Sequence, residues 1–376
     1  MKTVFPENQV NYVLRMYLPR WNYEKIIADI IKFCKETGTE HVMLFTDAQH
    51  MVWNQLTIEE AREEAENISR AIADLGKHGI KVGINSSYNM LMSRFDHTEH
   101  NPQYKHWATL ADGTCDKRTP CLLDPALKVY LDEFYRILAA TNAEYIYIDD
   151  DHRYIFAGRN NTWGCMCDLH LAEFSKLTGK EWTRPELQKA ILNDKTVQKQ
   201  WIMFLKKPLE ELAAVISNAV HSVNPEMTVG VMVPCLHCTT LYDYDLPKMA
   251  RIFQPEGKLL LRPCIGPYSD RDRQQIVPGL FYMETIDTSW AILPNTRRKS
   301  KPLPLPASQR VWKSSVSTSP RGSSTGCSTR RSLLADMWET ARSLNRKSPK
   351  CSNGKSPTLK HCGKSLRNAA PKRESA

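Results

Sequence analysis

Residues 145–153 read YIYIDDDHR. Four apolar and aromatic residues run straight into three carboxylates, Asp149, Asp150 and Asp151, with His152 and Arg153 directly behind. A short buried strand that delivers acids at its C-terminal end is expected of a parallel α/β sheet whose chemistry gathers at one edge. After a polar loop, GCMCDLH (164–170) places Cys165, Cys167 and His170 within six residues. Acids followed by soft metal ligands describe a site more readily than a core.

The same grammar extends in both directions. Strands are predicted at 11–19, 41–47, 81–87, 227–234, 258–264 and 279–284, in addition to 145–149. Helices are predicted between them. Residues 22–38 carry Ile26, Ile27, Ile30, Ile31 and Cys34 at helical spacing, with Gly38 as the stop. Thr57 and Glu60 form a capping-box signature for a helix ending near Gly79. Asp124-Pro125 supplies an N-cap and a first-turn proline for a helix to about Ala140. Further helices are expected near 168–178, 184–193 and 195–222.

Apolar strands alternating with amphipathic helices make a parallel sheet covered by helices. Polar residues stand at the C-terminal ends of almost every strand: Arg15, Asp47, Asn85, Asp149 to Asp151, His237, Arg262 and Glu284. An open doubly wound sheet concentrates its ligands at one switch point, whereas a closed barrel draws on every strand end. The fold class expected is therefore α/β, a (β/α)8 barrel of TIM type spanning residues 1–296. No GxGxxG or Walker motif is present.

Near residue 297 the composition changes. Residues 1–296 hold 32 Lys+Arg against 38 Asp+Glu, whereas residues 297–376 hold 19 against 3, so the formal charge of +10 comes wholly from the tail. The break falls where the barrel needs its eighth βα unit. The expectation is a barrel without a normal eighth unit, followed by a disordered basic tail or, preferably, residues read out of frame. No nucleic-acid partner is expected of the body. The polar start MKTVFPENQV does not read as a signal peptide, and no apolar run reaches transmembrane length. With eleven cysteines and no export signal, a reducing cytoplasmic setting is expected.

In an eight-stranded barrel, strands four and seven face each other across the mouth. Asp149–Asp151 and Glu284 then oppose one another, as glycoside hydrolysis requires of its two carboxyl groups. Clustered aspartates also raise the pKa of at least one member, which can hold a proton near neutrality. Trp290, Trp163, Trp107 and Tyr88 are candidates for stacking on sugar rings. Cys165, Cys167 and His170 supply three zinc ligands, and Cys121 or Cys115 a fourth, which would close the site and make the metal structural. His237, between Cys235 and Cys238, belongs to a second cluster or lines the site after strand five.

Together these residues resemble the barrel domain of glycoside hydrolase family 42, the β-galactosidase-type enzymes of clan A, over roughly residues 10–296. That family carries a strand-four motif ending in Asn-Glu. Read in register, Asp150 takes the Asn place and Asp151 that of the acid/base. Its strand-seven nucleophile stands in a Met-Glu pair with a Trp shortly after, matched by Met283, Glu284 and Trp290. Many members bind zinc through a Cys before helix three and C-x-C-x2-C after strand four. Cys121, Cys165 and Cys167 match, and His170 replaces the last Cys.

The resemblance implies a retaining glycosidase with Asp151 as acid/base and Glu284 as nucleophile. Arg15, Asn85, Asp149, Asp150, His237 and Trp290 would hold a carbohydrate substrate. It implies one structural zinc and no organic cofactor; an oligomer is compatible with it. The chain departs from the pattern in having Asp for Glu at 151 and a longer stretch between acid and cysteines. Two rival expectations are an inactive barrel one unit short and a metal-dependent isomerase or hydrolase. In the second, Asp149, Asp151, His152 and Glu284 would ligate a divalent ion.

Overall fold

The structure is a computed structural model, and it describes residues 4, 12–46, 55–86, 103–149, 152–154, 163–233, 245–257 and 259–263. Strand β1 (Val13–Met16) leads through a 3-10 turn (Arg20–Asn22) into helix α1 (Tyr23–Thr37). Strand β2 (His41–Phe45) is followed by α2 (Ile58–Gly76) and then β3 (Lys81–Ser86). A hairpin of β4 (Trp107–Thr109) and β5 (Cys115–Pro120) precedes α3 (Pro125–Ala139). After β6 (Tyr145–Ile148) come α4 (Asp168–Thr178), α5 (Arg184–Asn193) and the long α6 (Lys195–Val223). Strand β7 (Thr228–Val233), helix α7 (Leu246–Phe253) and strand β8 (Leu260–Pro263) complete the described elements.

Local chemistry explains the helix starts. Thr57 and Glu60 cap α2 reciprocally, the Thr57 hydroxyl accepting from Glu60 N and the Glu60 carboxylate from Thr57 N. Such a cap is worth about 1 kcal/mol. Asp124 accepts from Ala126 N and also from the Lys105 and His106 amides, so it caps α3 and ties down the preceding loop. Gly38 ends α1 at φ 69°, a left-handed conformation that favours glycine.

Six strands form one parallel sheet in the order β1-β2-β3-β6-β7-β8. Each new strand adds to the same edge, and among the described strands the order never reverses, as it would at the switch point of a doubly wound sheet. The fold is a (β/α) barrel of TIM type, seen here as a curled parallel half-barrel. The predicted seventh strand, the place of an eighth unit and residues 297–376 lie outside the described residues.

The two faces of the sheet differ. Val42, Leu44, Val82, Ile84, Ile146, Ile148, Val229 and Val231 face the helices in one large core. Met43, Tyr145, Tyr147, Met232 and Leu260 form a second, inner cluster with Val13 against it. Two glycines make room for the inner tyrosines. A Cβ on Gly83 would stand 2.1 Å from Tyr145 Cε2, and one on Gly230 2.7 Å from Tyr147 Cε1. Large-against-small packing of this kind is how a small barrel fills its interior.

Candidate active site and metal centre

Because the strands are parallel, their C-terminal ends share one rim. Arg15 on β1, Asn85 on β3 and Asp149 just after β6 meet there. The Arg15 guanidinium donates to Asn85 Oδ1, and Asn85 Nδ2 donates to Asp149 Oδ2 across 2.7 Å. This orientation of the amide is the one that serves both a cation and a carboxylate. Asn85 is fully buried, so its amide is a fixed link between the other two side chains. The backbone continues the join: Asp149 N donates to Ser86 O at 3.3 Å, and Thr46 N to Asn85 O at 3.2 Å.

One wall of this rim is aromatic. The Arg15 guanidinium carbon lies 4.7 Å from the Phe45 ring centroid, and Phe45 stacks on Tyr17 with centroids 4.2 Å apart and planes 8° from parallel. Below the rim, Arg262 donates to Met232 Sδ at 3.3 Å. The Tyr147 hydroxyl is buried without a hydrogen-bond partner among the described residues. Burial holds its phenol above the usual range, with Arg262 and Arg15 pulling the other way.

The segment after the acids is anchored from behind. His152 Nε2 donates to Leu209 O at 3.0 Å, and the Tyr154 hydroxyl donates to Leu205 O at 3.1 Å. Both carbonyls belong to α6 and flank Pro208, whose missing N–H interrupts the helix ladder at that turn. Burial pulls the His152 imidazole down to about 4, against the bond to Leu209, so the ring is neutral near pH 7.

The sequence brings together a second group. Cys121 follows β5, Cys165 and Cys167 precede α4, and His170 lies in the first turn of α4. Their ligand atoms all lie within 4.8 Å of one another, and all four residues are buried. Cys121 Sγ, Cys167 Sγ and His170 Nδ1 are mutually 3.3 Å apart. Thr109 N and Leu123 N point at Cys165 Sγ and Cys121 Sγ, each at 3.4 Å. Met166 N donates to Thr109 O at 2.7 Å, so the loops after β3 and β6 are bonded beside the cluster.

The donor set fits a metal. Without one, three sulfurs and an imidazole must share protons inside the core. Burial drives Cys121 well above the usual thiol range. Hydrogen bonds from Cys121 and Cys165 hold Cys167 far below it. His170 is pulled down by burial but lifted to about 9 by the charge of Cys165 and by bonds to Cys165 and Cys167. A soft divalent cation would replace those protons, and the cluster can hold one. Of the two sequence candidates for the fourth ligand, Cys121 is in the cluster, while Cys115 is exposed on the hairpin.

Thus Arg15, Asn85 and Asp149 meet at one place, and Cys121, Cys165, Cys167 and His170 at another. Asp150, Asp151, His237, Glu284 and Trp290 lie outside the described residues. Trp107 and Trp163, two of the stacking candidates, are partly buried. Both pack against the main core, Trp107 edge-on to Tyr104 at 5.8 Å, with the Trp163 carbonyl accepting from Trp201 Nε1 at 2.6 Å. Sequence reading missed Tyr17, Phe45 and Tyr147. Tyr17 and Tyr147 each stand two residues from a polar strand-end residue, Arg15 and Asp149, and alternation along a strand puts such pairs on one face.

The fold is a (β/α) barrel of TIM type with a bonded polar cluster on the rim where its strands end. No protein-family model matches the chain, and no curated protein matches it by sequence. Among solved structures it is similar to the catalytic domain of a β-amylase from Paenibacillus polymyxa. The TM-score is 0.53 at 10% identity, over 75% of this chain and 83% of that one. β-Galactosidases from Rahnella sp. R3 and Bacillus circulans sp. alkalophilus align with TM-scores of 0.49 and 0.48 at 13% and 11% identity. They cover 76% and 75% of this chain, which spans only 44% and 42% of theirs. At such identity the β-amylase likeness shows the fold alone.

Proposed function

We propose that this barrel is a glycoside hydrolase acting on a carbohydrate glycosidic bond by a retaining, two-carboxylate mechanism, of the β-galactosidase type its motifs resemble. The observation that carries the reading is the Arg15–Asn85–Asp149 network at the C-terminal rim, which runs directly into Asp150 and Asp151. The barrel fold shared with a β-amylase supports it.

In this reading Asp151 protonates the leaving oxygen and Glu284 attacks the anomeric carbon. Asp151 then deprotonates the incoming water. Retention requires the two carboxyl groups about 5–5.5 Å apart. Asn85 fixes the Asp149 carboxylate toward the sugar. Arg15, held by Asn85 and laid on Phe45, offers donors to sugar hydroxyls, and Asp150, His237 and Trp290 complete the sugar site. Zinc, when bound by Cys121, Cys165, Cys167 and His170, supplies no chemistry to the substrate. Four protein ligands leave no open position, so the metal's work is to clamp two loops.

Residues 1–296 form the catalytic barrel in this reading and residues 297–376 a separate basic segment. A cysteine-rich chain with a buried Cys3His ligand set fits a reducing cytoplasm. Among the described residues no helix is long and apolar enough to cross a membrane. The test is hydrolysis of a panel of aryl glycosides by the full chain, with product anomers followed by NMR. Retention of configuration, lost in Glu284→Ala and Asp151→Asn, is the expected result. Inversion, or full activity in Glu284→Ala, overturns the mechanism. No hydrolysis by a folded, zinc-loaded chain points instead to an inactive barrel.

A further inference from the structure

Away from the rim, α4 and α6 wall a groove of about 880 Å³ on the outer surface of the barrel. Leu177 and Met203 line it at 62% and 51% exposure, with Phe204 beside them. Exposed apolar side chains are ordinary one at a time; here two of them share one groove with a set of lysines. Around this apolar strip stand Lys176, Lys195, Lys199 and Lys207, against a single acid, Glu173. The charge is opposite to that of the body, where acids outnumber bases over residues 1–296.

The spacing on α6 is regular. Lys195, Lys199, Met203 and Lys207 follow one another at four-residue intervals and so form a single ridge along the helix. That ridge is about 18 Å long at 1.5 Å per residue. Lys176 and Lys207 are steadied by Glu173 at 2.7 Å and Glu211 at 3.8 Å, while Lys199 makes no ion pair among the described residues. Both walls are helices whose backbones are bonded internally, so the groove offers no strand edge to extend. What fits such a groove is another helix.

We propose that the α4–α6 groove is a docking site for an amphipathic helix of a partner protein. The helix would lay an apolar stripe on Leu177, Met203 and Phe204 and set Asp or Glu side chains against the lysines. The apolar floor favours a peptide over a simple polyanion, which would engage the lysines alone.

The test is fluorescence anisotropy with a labelled helical peptide about 15 residues long. It carries leucines at i, i+4 and i+7 and glutamates on the flanks, and it is titrated with the full chain. Saturable binding is expected, weakened about tenfold by either Lys199→Glu or Met203→Asp. Both positions face solvent, and circular dichroism checks that each variant is folded. A peptide with lysines in place of the glutamates should not bind.

Binding unchanged in both variants assigns the peptide to the basic residues 297–376 and overturns the proposal, as does no binding at all. Phosphatidylserine vesicles that bind with the same dependence on Lys199 and Met203, and more tightly than the peptide, give the groove to a lipid surface and also overturn it.

Discussion

The side-chain amide of Asn85 donates to the Asp149 carboxylate across 2.7 Å, joining the ends of the third and fourth barrel strands. Arg15 reaches the other end of the same amide, so one buried residue couples a cation to an anion. Replacing Asn85 by Ala is expected to destabilise the fold by about 1–3 kcal/mol, the cost of leaving buried polar groups without their partner. Urea denaturation measures it. In a double-mutant cycle with Asp149→Ala the two losses should fail to add by roughly 1 kcal/mol.

Tyr147 should behave in the opposite way. Its hydroxyl has no hydrogen-bond partner among the described residues, so Tyr147→Phe is expected to leave Tm unchanged or raise it. If the phenol meets a substrate hydroxyl, kcat/KM falls about tenfold or more while stability holds. A fall in Tm of several degrees would contradict the burial pattern.

The clustered cysteines predict one zinc per chain by elemental analysis of protein purified without chelator. Cys165→Ser and His170→Ala should each lower zinc content and Tm together, because breaking a structural metal site removes folding free energy. Cys115→Ser, on an exposed residue outside the cluster, should change neither. Loss of zinc on mutating Asp149 with the cysteines intact would favour the metal-dependent reading.

Acid should weaken the fold well before its carboxylates titrate. Burial and the Lys81 charge pull His41 down to about 4, and burial does the same to His152. In the unfolded chain both imidazoles take up protons below about pH 6.5. Between pH 6.5 and about 4 the unfolded state therefore holds more protons, and stability declines as pH falls. Tm measured from pH 7 to 4.5 should drop, and His152→Gln should flatten part of that slope.

Packing inside the barrel makes a further prediction. Gly230→Ala sets a methyl group 2.7 Å from the Tyr147 ring and 3.1 Å from Leu260 O, so a buried ring or a sheet carbonyl must shift to admit it. A loss of about 1–3 kcal/mol is expected from such overpacking. Chemical denaturation would show it, and an unchanged midpoint would mean the inner cluster is looser than its geometry.

The fold was legible wherever one physical signal dominated. Apolar β-branched runs marked the sheet, and Thr57–Glu60 and Asp124-Pro125 marked the helix starts that the structure shows. Asp245 with Pro247 carries the same signature ahead of α7, which the strand count passes over. The β4–β5 hairpin escapes a periodicity argument because CDKRTP is polar, and its place is fixed by the bond from Met166 N to Thr109 O. The Cys3His ligand cluster was readable because ligand chemistry constrains spacing. The aromatic wall of Tyr17 and Phe45 was not, because side-chain stacking between neighbouring strands leaves no mark on either strand alone.

Tyr154 sits edge-on to the ligand His170, with ring centroids 6.1 Å apart, and its hydroxyl is tied to α6. It follows Asp151 by three residues. In the proposed hydrolase with zinc bound, a chelator would therefore act slowly, at the pace at which α4 and the segment after β5 come apart around Cys121 and His170, and returning metal would restore activity only as quickly as they repack. An investigator timing that lag would see a scaffold being dismantled, where an instant loss would have meant a reagent withdrawn from the reaction.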